Sequence, residues 1–333
     1  MPAPHPTASS SERPELPASA HAWLDHLRVE RRLAPRTLDT YAIDLTSLAA
    51  ALPVALDAVA EHHLRSALAR LHAGGMTPRS LARLLSVARG FYRWRMLAGA
   101  RADNPAQGLR APKAPKRLPK ALAVDATAGL LDAAQAAAQA TGPQDAQRDD
   151  PKQQALRLRD AAMFELLYSS GLRLAELIGL DVTASDAAAG WVDAQAAEVH
   201  VTGKGGKRRM VPVGGKALEA LRAWLPARVL LADAQCPALF VGARGERIAQ
   251  GTVRLALKQL AQSSQLGQHV HPHMLRHSFA SHVLQSSGDL RAVQELMGHA
   301  SIAATQVYTQ LDFQHLAKVY DAAHPRAKKP AEK

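Results

Sequence analysis

Apolar residues recur at helical spacing through the first hundred positions. Ala20, Trp23, Leu24 and Leu27 fall at i, i+3, i+4 and i+7 and predict one amphipathic helix. Leu38, Tyr41, Leu45 and Leu48 predict a second, with Thr37 as its N-cap. A third should run from Leu56 to His72 and stop at Gly74-Gly75. A fourth carries Leu81, Leu84, Leu85, Ala88 and Phe91 on one face. Beyond position 120, helical patterns over 126–140 and 156–168 flank a polar stretch, 141–154, that reads as a surface loop. Apolar and polar residues then alternate over 198–202 and 208–213 around Gly203-Lys204-Gly205-Gly206, which predicts a β-hairpin. The remainder is helical in pattern, and no internal repeat is visible.

The expected architecture is mainly α, in two domains. Residues 1–16 are rich in Pro, Ser and Ala and read as a disordered tail; 17–101 form a helical bundle. Residues 102–120 form a basic linker, in which Pro105, Pro112, Pro115 and Pro119 forbid a continuous helix. Residues 121–325 form a second domain, helical with a small antiparallel sheet, and 326–333 a basic tail.

Charge narrows the partner. The formal net charge is +12 over 333 residues, which favours a polyanion, most simply nucleic acid. On the fourth helix Arg79, Arg83, Arg89, Arg93 and Arg95 occur with no acidic residue between Met76 and Arg101, which suggests a phosphate-contacting face over a merely solvated one. Lys113, Lys116 and Arg117 in the linker and Lys207 and Arg208 at the hairpin extend the same expectation. The single cysteine, Cys236, excludes an intrachain disulfide framework and fits a reducing compartment. No apolar run reaches the length of a membrane span and the first residues lack a signal core, so a cytoplasmic protein without membrane contact is expected.

The chemistry lies in a set of spaced residues. Arg173 sits in Gly171-Leu172-Arg173-Leu174-Ala175-Glu176-Leu177, and Lys204 in Thr202-Gly203-Lys204-Gly205-Gly206-Lys207. His273 and Arg276 share His271-Pro272-His273-Met274-Leu275-Arg276-His277; His299 follows Gly298, and Tyr308 lies nine residues later. Each alone has a bland reading: an exposed turn lysine, a packed tyrosine, an arginine paired with Glu176. Together they supply what metal-free attack on a phosphodiester needs. Two guanidiniums can hold the non-bridging oxygens. A tyrosine can act as nucleophile, a lysine can protonate the leaving 5′ oxygen, and histidines can move protons or donate to the phosphate. Glu176, three residues after Arg173, reads as a partner that orients an arginine or histidine. The 203–207 glycines lack the spacing of a nucleotide-binding P-loop and precede a strand where a helix is required. A metal site at His271, His273 and His277 is disfavoured by the absence of a completing Cys, Asp or Glu and by Arg276 in their midst.

The order Arg, Lys, His-x-x-Arg, His, Tyr resembles the tyrosine recombinase (phage integrase) family, and the resemblance covers nearly the whole chain after the tail. Arg173, Lys204, His273, Arg276, His299 and Tyr308 match that family's catalytic positions. Trp23-Leu24-Asp25-His26-Leu27, Ala34-Pro35-Arg36-Thr37-Leu38 and Tyr41 are similar to its N-terminal core-binding domain. The stretch 311–328 is similar to the ends of the XerC branch. Ala175, Met297, Ala304 and Gln310 depart from common family choices, none at a catalytic position.

The resemblance implies a two-domain clamp on duplex DNA, with a SAM-like core-binding domain and a catalytic domain. It implies site-specific strand exchange through a 3′-phosphotyrosyl bond on Tyr308, with neither ATP, metal nor other cofactor. By analogy, a heterotetramer with an XerD-like recombinase would resolve chromosome dimers at a dif-type site during cell division, activated by an FtsK-type DNA translocase. Type IB topoisomerase-like relaxation and a catalytically silent DNA-binding module are the other readings. Phe313, Leu316 and Tyr320 lie at i, i+3 and i+7, a face that could serve the chain's own core; the resemblance suggests instead that it docks on a neighbouring subunit, so that deletion after Asp312 would weaken synapsis and spare single-site binding.

Overall fold

The computed structural model describes residues 15–113, 121–139, 150–203, 208–298 and 310–327, with the backbone alone for 310–315. Lys116, Arg117, Lys204, Lys207, His299, Tyr308 and the Phe313 side chain lie outside the described residues. The chain divides into two compact units, Met1–Arg117 and Leu118–Lys333.

The first unit packs α1 (Ala18–Val29), α2 (Pro35–Ala51), α3 (Glu61–Ala73) and α4 (Pro78–Leu97). Trp23 lies at its centre, stacked on Tyr41 at 5.9 Å and edge-on to Phe91 at 5.8 Å. The predicted apolar face of α4 is the buried one. The second helix starts three residues earlier than Thr37 as N-cap suggests, because Pro35 occupies its first turn, where a missing N–H costs nothing. The third is not continuous from Leu56. Leu56–Ala58 form a single 3-10 turn, the backbone extends at Val59 and Ala60, and α3 begins at Glu61. Tertiary bonds fix this break: Tyr92 donates its hydroxyl to the Leu56 carbonyl at 3.0 Å, and the Ala60 N–H donates to His63 Nδ1 at 3.2 Å.

The second unit is built around α6 (Pro151–Ser169), buried along most of its length, with α5 (Val124–Gln139) beside it. Residues 151–154, expected in a loop, are its first turn: Asp150 caps the Lys152 N–H at 3.0 Å and Pro151 takes the first position. The short α7 (Leu174–Ile178) leads into a four-stranded sheet in sequence order, β1 (Leu180–Asp181), β2 (Gly190–Asp193), β3 (Glu198–Thr202) and β4 (Arg208–Pro212). The predicted hairpin is β3–β4, with Val199 opposite Val211 and Val201 opposite Arg209. The sheet is antiparallel except at its edge, where the two-residue β1 runs parallel to β2. Then follow α8 (Gly215–Arg228), α9 (Gln250–Ser263), α10 (Pro272–Ser287), α11 (Leu290–Met297) and α12 (Gln310–Ala323).

One expectation about the C-terminus is corrected. Leu316 and Tyr320 are 2% and 1% exposed and belong to the core of their own chain, where α12 packs on α10 and β4. The intramolecular environment satisfies both ends of Tyr320: its ring stacks on His324 at 4.8 Å and its hydroxyl bonds Ser169 Oγ at 2.8 Å. The first two residues of the expected basic tail, Arg326 and Ala327, are tied to the second unit. Arg326 reaches Glu165 at 3.1 Å and Asp132 at 2.9 Å, and the Ala327 carbonyl accepts from the Gly215 N–H at 3.2 Å.

His324 makes this corner sensitive to acid. Burial pushes its imidazole down to about 3, so the folded state holds it neutral while an unfolded chain protonates it near its ordinary value of roughly 6.5. Its contribution is therefore complete above that value and declines as pH falls toward the folded one. Stability measured by denaturant titration should drop between pH 6.5 and 4.5 by up to about 1.4 kcal/mol per pH unit from this group. His324→Gln should flatten that slope; equal slopes for the two proteins would refute the assignment.

Candidate active site

Three segments of the second unit meet at Glu176. Arg173 is extended (φ −72°, ψ 148°) and caps α7; Glu176, three residues on, accepts the Arg173 backbone N–H at 2.8 Å, which fixes the turn. The same carboxylate accepts Arg173 Nη1 at 2.8 Å and, from β4, both Nη1 and Nη2 of Arg209 at 2.8 Å each. Arg276 Nη1 stands 3.9 Å away. Burial alone would push this carboxyl up; the hydrogen bonds and charge of Arg209, with the donors of Arg173, hold it at about 2. It is thus a fixed anion among three cations.

Arg276 enters from the first turns of α10 and is 3% exposed. It donates to the carbonyls of Gly171 and Met297. Gly171 (φ +53°) has to be glycine, since a Cβ would sit 2.4 Å from the Phe279 ring. Burial, with the nearby charges of Arg173 and Arg209, lowers the Arg276 guanidinium to about 10, so it remains a cation at neutral pH. Arg173 Nη2 also points to the end of α11, 3.2 Å from the Gly298 carbonyl. Both arginines therefore face the turn that leads into His299. A cavity of about 330 Å³ runs from Arg173 and Glu176 past Ala175, Gly179 and Ala189 to Thr202 and Gly203, at the base of the hairpin turn.

His273 is exposed at the second position of α10, three residues before Arg276. His271 is the helix N-cap, its Nδ1 accepting the Met274 N–H at 3.2 Å. Among the described residues no three His, Cys, Asp or Glu side chains converge as a ligand set. In the first unit the basic face divides. Arg83 forms a two-pronged pair with buried Asp44 at 2.7 and 2.8 Å. Arg89 donates to the carbonyls of Ala106 and Leu109, and Arg95 pairs with Asp57 at 3.1 Å. These three brace their own unit, while Arg79 and Arg93 are exposed, as is Lys113. Arg208 is exposed at the start of β4 with its guanidinium 5.9 Å from the Trp191 ring centre. Sequence reasoning missed Arg209. The available signal was strand alternation, which puts an arginine on the inward face with Val211.

The phage integrase family profile matches residues 145–315, and the profile of the phage integrase N-terminal SAM-like domain matches residues 20–99. The chain is 50% identical to tyrosine recombinase XerC 1 of Ralstonia nicotianae, over 97% of this chain and 99% of that one. It is 48% identical to tyrosine recombinase XerC of Pseudomonas aeruginosa, over 94% and 96%. A lambda integrase dimer bound to a COC′ core site shares the fold, with TM-score 0.60 and 20% identity over 86% of this chain and 99% of that one. So does XerH recombinase bound to a palindromic difH substrate, with TM-score 0.59 and 20% identity over 91% and 84%. The chain belongs to the phage integrase family, in its XerC branch of tyrosine recombinases, and is a site-specific DNA recombinase.

Proposed function

We propose that this recombinase cuts and rejoins DNA through Tyr308, which attacks the scissile phosphate to give a 3′-phosphotyrosyl bond and a free 5′-hydroxyl. The observation that carries the reading is the convergence of Arg173 and Arg276, from separate elements, beside one fixed carboxylate and facing the turn into His299. Their guanidiniums stabilise the charge on the non-bridging oxygens as the phosphorane forms. Lys204 protonates the departing 5′ oxygen, His273 takes and returns the tyrosine proton, and His299 donates to the phosphate. The phosphotyrosyl bond retains the energy of the cleaved one, and the 5′-hydroxyl of the partner strand then attacks it. Arg79, Arg93, Lys113 and Arg208 are the exposed cations assigned to the DNA backbone. The XerC relatives support the finer reading. The protein acts in the cytoplasm with an XerD-like recombinase, in a heterotetramer on a dif-type site. It resolves chromosome dimers there under control of an FtsK-type translocase.

The test is a dif-type duplex nicked beside the cleavage position, so that religation is impossible. Wild-type protein should accumulate a covalent adduct, and peptide mapping should place the nucleotide on Tyr308. No adduct, or one on another residue, overturns the reading. Equal cleavage of a shuffled duplex would favour topoisomerase-like relaxation.

A further inference from the structure

Arg209 has no place in the reaction as described, yet its guanidinium holds Glu176 and lies against Gly298. Its two terminal nitrogens grip Glu176 end-on at 2.8 Å each, from a strand residue only 7% exposed. Its Cδ and Nε lie against Gly298: a Cβ on that glycine would stand 3.0 Å from each. Gly298 is left-handed at φ +61°, closes α11 and directly precedes His299. Strand β4, which carries Arg209, directly follows the turn that bears Lys204.

We propose that Arg209 is a positioning residue for strand cleavage: gripping Glu176 and packing against Gly298, it sets the Arg173 turn, the β3–β4 hairpin and the α11 terminus in register. The proposal rests on the reading of Arg173, Lys204, Arg276 and His299 as the groups that handle the phosphate.

Three physical points support it. A buried ion pair is a poor device for stability, since apolar residues of equal volume often serve as well, so its use here calls for another reason. The planar fork of arginine fixes direction as well as distance, which an ammonium does not. And Glu176 is saturated: Oε1 takes one nitrogen from each of Arg173 and Arg209, and Oε2 takes the Arg173 backbone N–H and the other Arg209 nitrogen. Rotation of the carboxylate breaks all four bonds at once.

The groups facing Glu176 are Arg173 from the α7 cap, Arg209 from β4 and Arg276 from α10. Without Arg209 the carboxyl keeps its burial and loses its strongest partner, so its protonation moves up toward the accessible pH range. The experiment is single-turnover cleavage of the nicked duplex between pH 5 and 8, alongside binding to the uncleaved site and thermal melting. Arg209→Met should slow cleavage about a hundredfold, as expected of a displacement near 1 Å, with binding changed only a few-fold. Its acid limb should also be steeper than that of wild type, and adding Glu176→Gln should remove the excess. Arg209→Lys should recover part of the rate. A wild-type pH profile in Arg209→Met, or losses of rate, binding and melting temperature in proportion, overturns the proposal. If Arg209→Met does not fold, Arg209→Lys decides: slowed cleavage at unchanged melting temperature supports it, and a wild-type rate overturns it. Absence of an adduct from wild type would instead strike the reading of the site.

Discussion

Arg276→Ala is expected to lower single-turnover cleavage of the nicked duplex by about a thousandfold or more, with binding to the intact site reduced only a few-fold. Loss of one preorganised donor to a developing oxyanion costs about a hundred- to a thousandfold, and Arg276 brings two donors and a full charge. It is also far more sheltered than Arg173, so little water screens what it does. Its charge has been kept despite burial and two neighbouring arginines, which together draw it down to about 10. Holding a cation under that strain makes sense if an anion arrives to relieve it. Arg276→Lys should recover little. One ammonium cannot span the carbonyls of Gly171 and Met297 and still offer a fork to a phosphate. The fold should survive, because Glu176 keeps Arg173 and Arg209. A variant that melts like wild type and cleaves at the wild-type rate would remove Arg276 from the reaction.

The contrast between Arg276 and Arg209 shows what a sequence exposes. Helices α1, α2 and α4 were legible because their stripes report a local property, one buried face. The recombinase class was legible because six residues of four types in a fixed order have few other uses. What escaped was set by distant partners. The break before α3 depends on Tyr92, 36 residues beyond Leu56. The basic stripe of α4 looks uniform in sequence, yet Asp44 and Asp57 and the carbonyls near Leu109 claim three of its arginines. Arg208 and Arg209 are adjacent and alike in the sequence, and only the register of β3 with β4 reveals that one arginine faces out and the other in. Glu176 was placed as an orienting partner from its spacing alone, but its tie to β4 was invisible.

Deletion of the chain after Asp312 is expected to unfold the second unit, or to lower its melting temperature steeply, and so to abolish cleavage. A tail that only docked on a neighbour would be dispensable for folding. This one supplies Leu316, Tyr320, Ala323 and Ala327 to the core, each buried. Full burial of a large apolar side chain contributes about 1.5–3 kcal/mol, and a whole domain is stable by only about 5–15 kcal/mol. The polar losses add to this. Glu165, 2% exposed in its side chain, would lose Arg326 and become an unpaired buried charge, a loss of about 3–5 kcal/mol in comparable pairs. Gly214 is shaped to the missing segment as well: a Cβ on it would lie 2.5 Å from the Arg326 carbonyl and 2.7 Å from the Tyr320 hydroxyl. Limited proteolysis and melting of the truncated protein, with Arg326→Ala as a milder companion, provide the measurement. Arg326→Ala should fold and melt lower than wild type. If the truncated protein melts like wild type and binds a single site normally while synapsis fails, the tail belongs to the subunit interface, and its packing within the chain is dispensable.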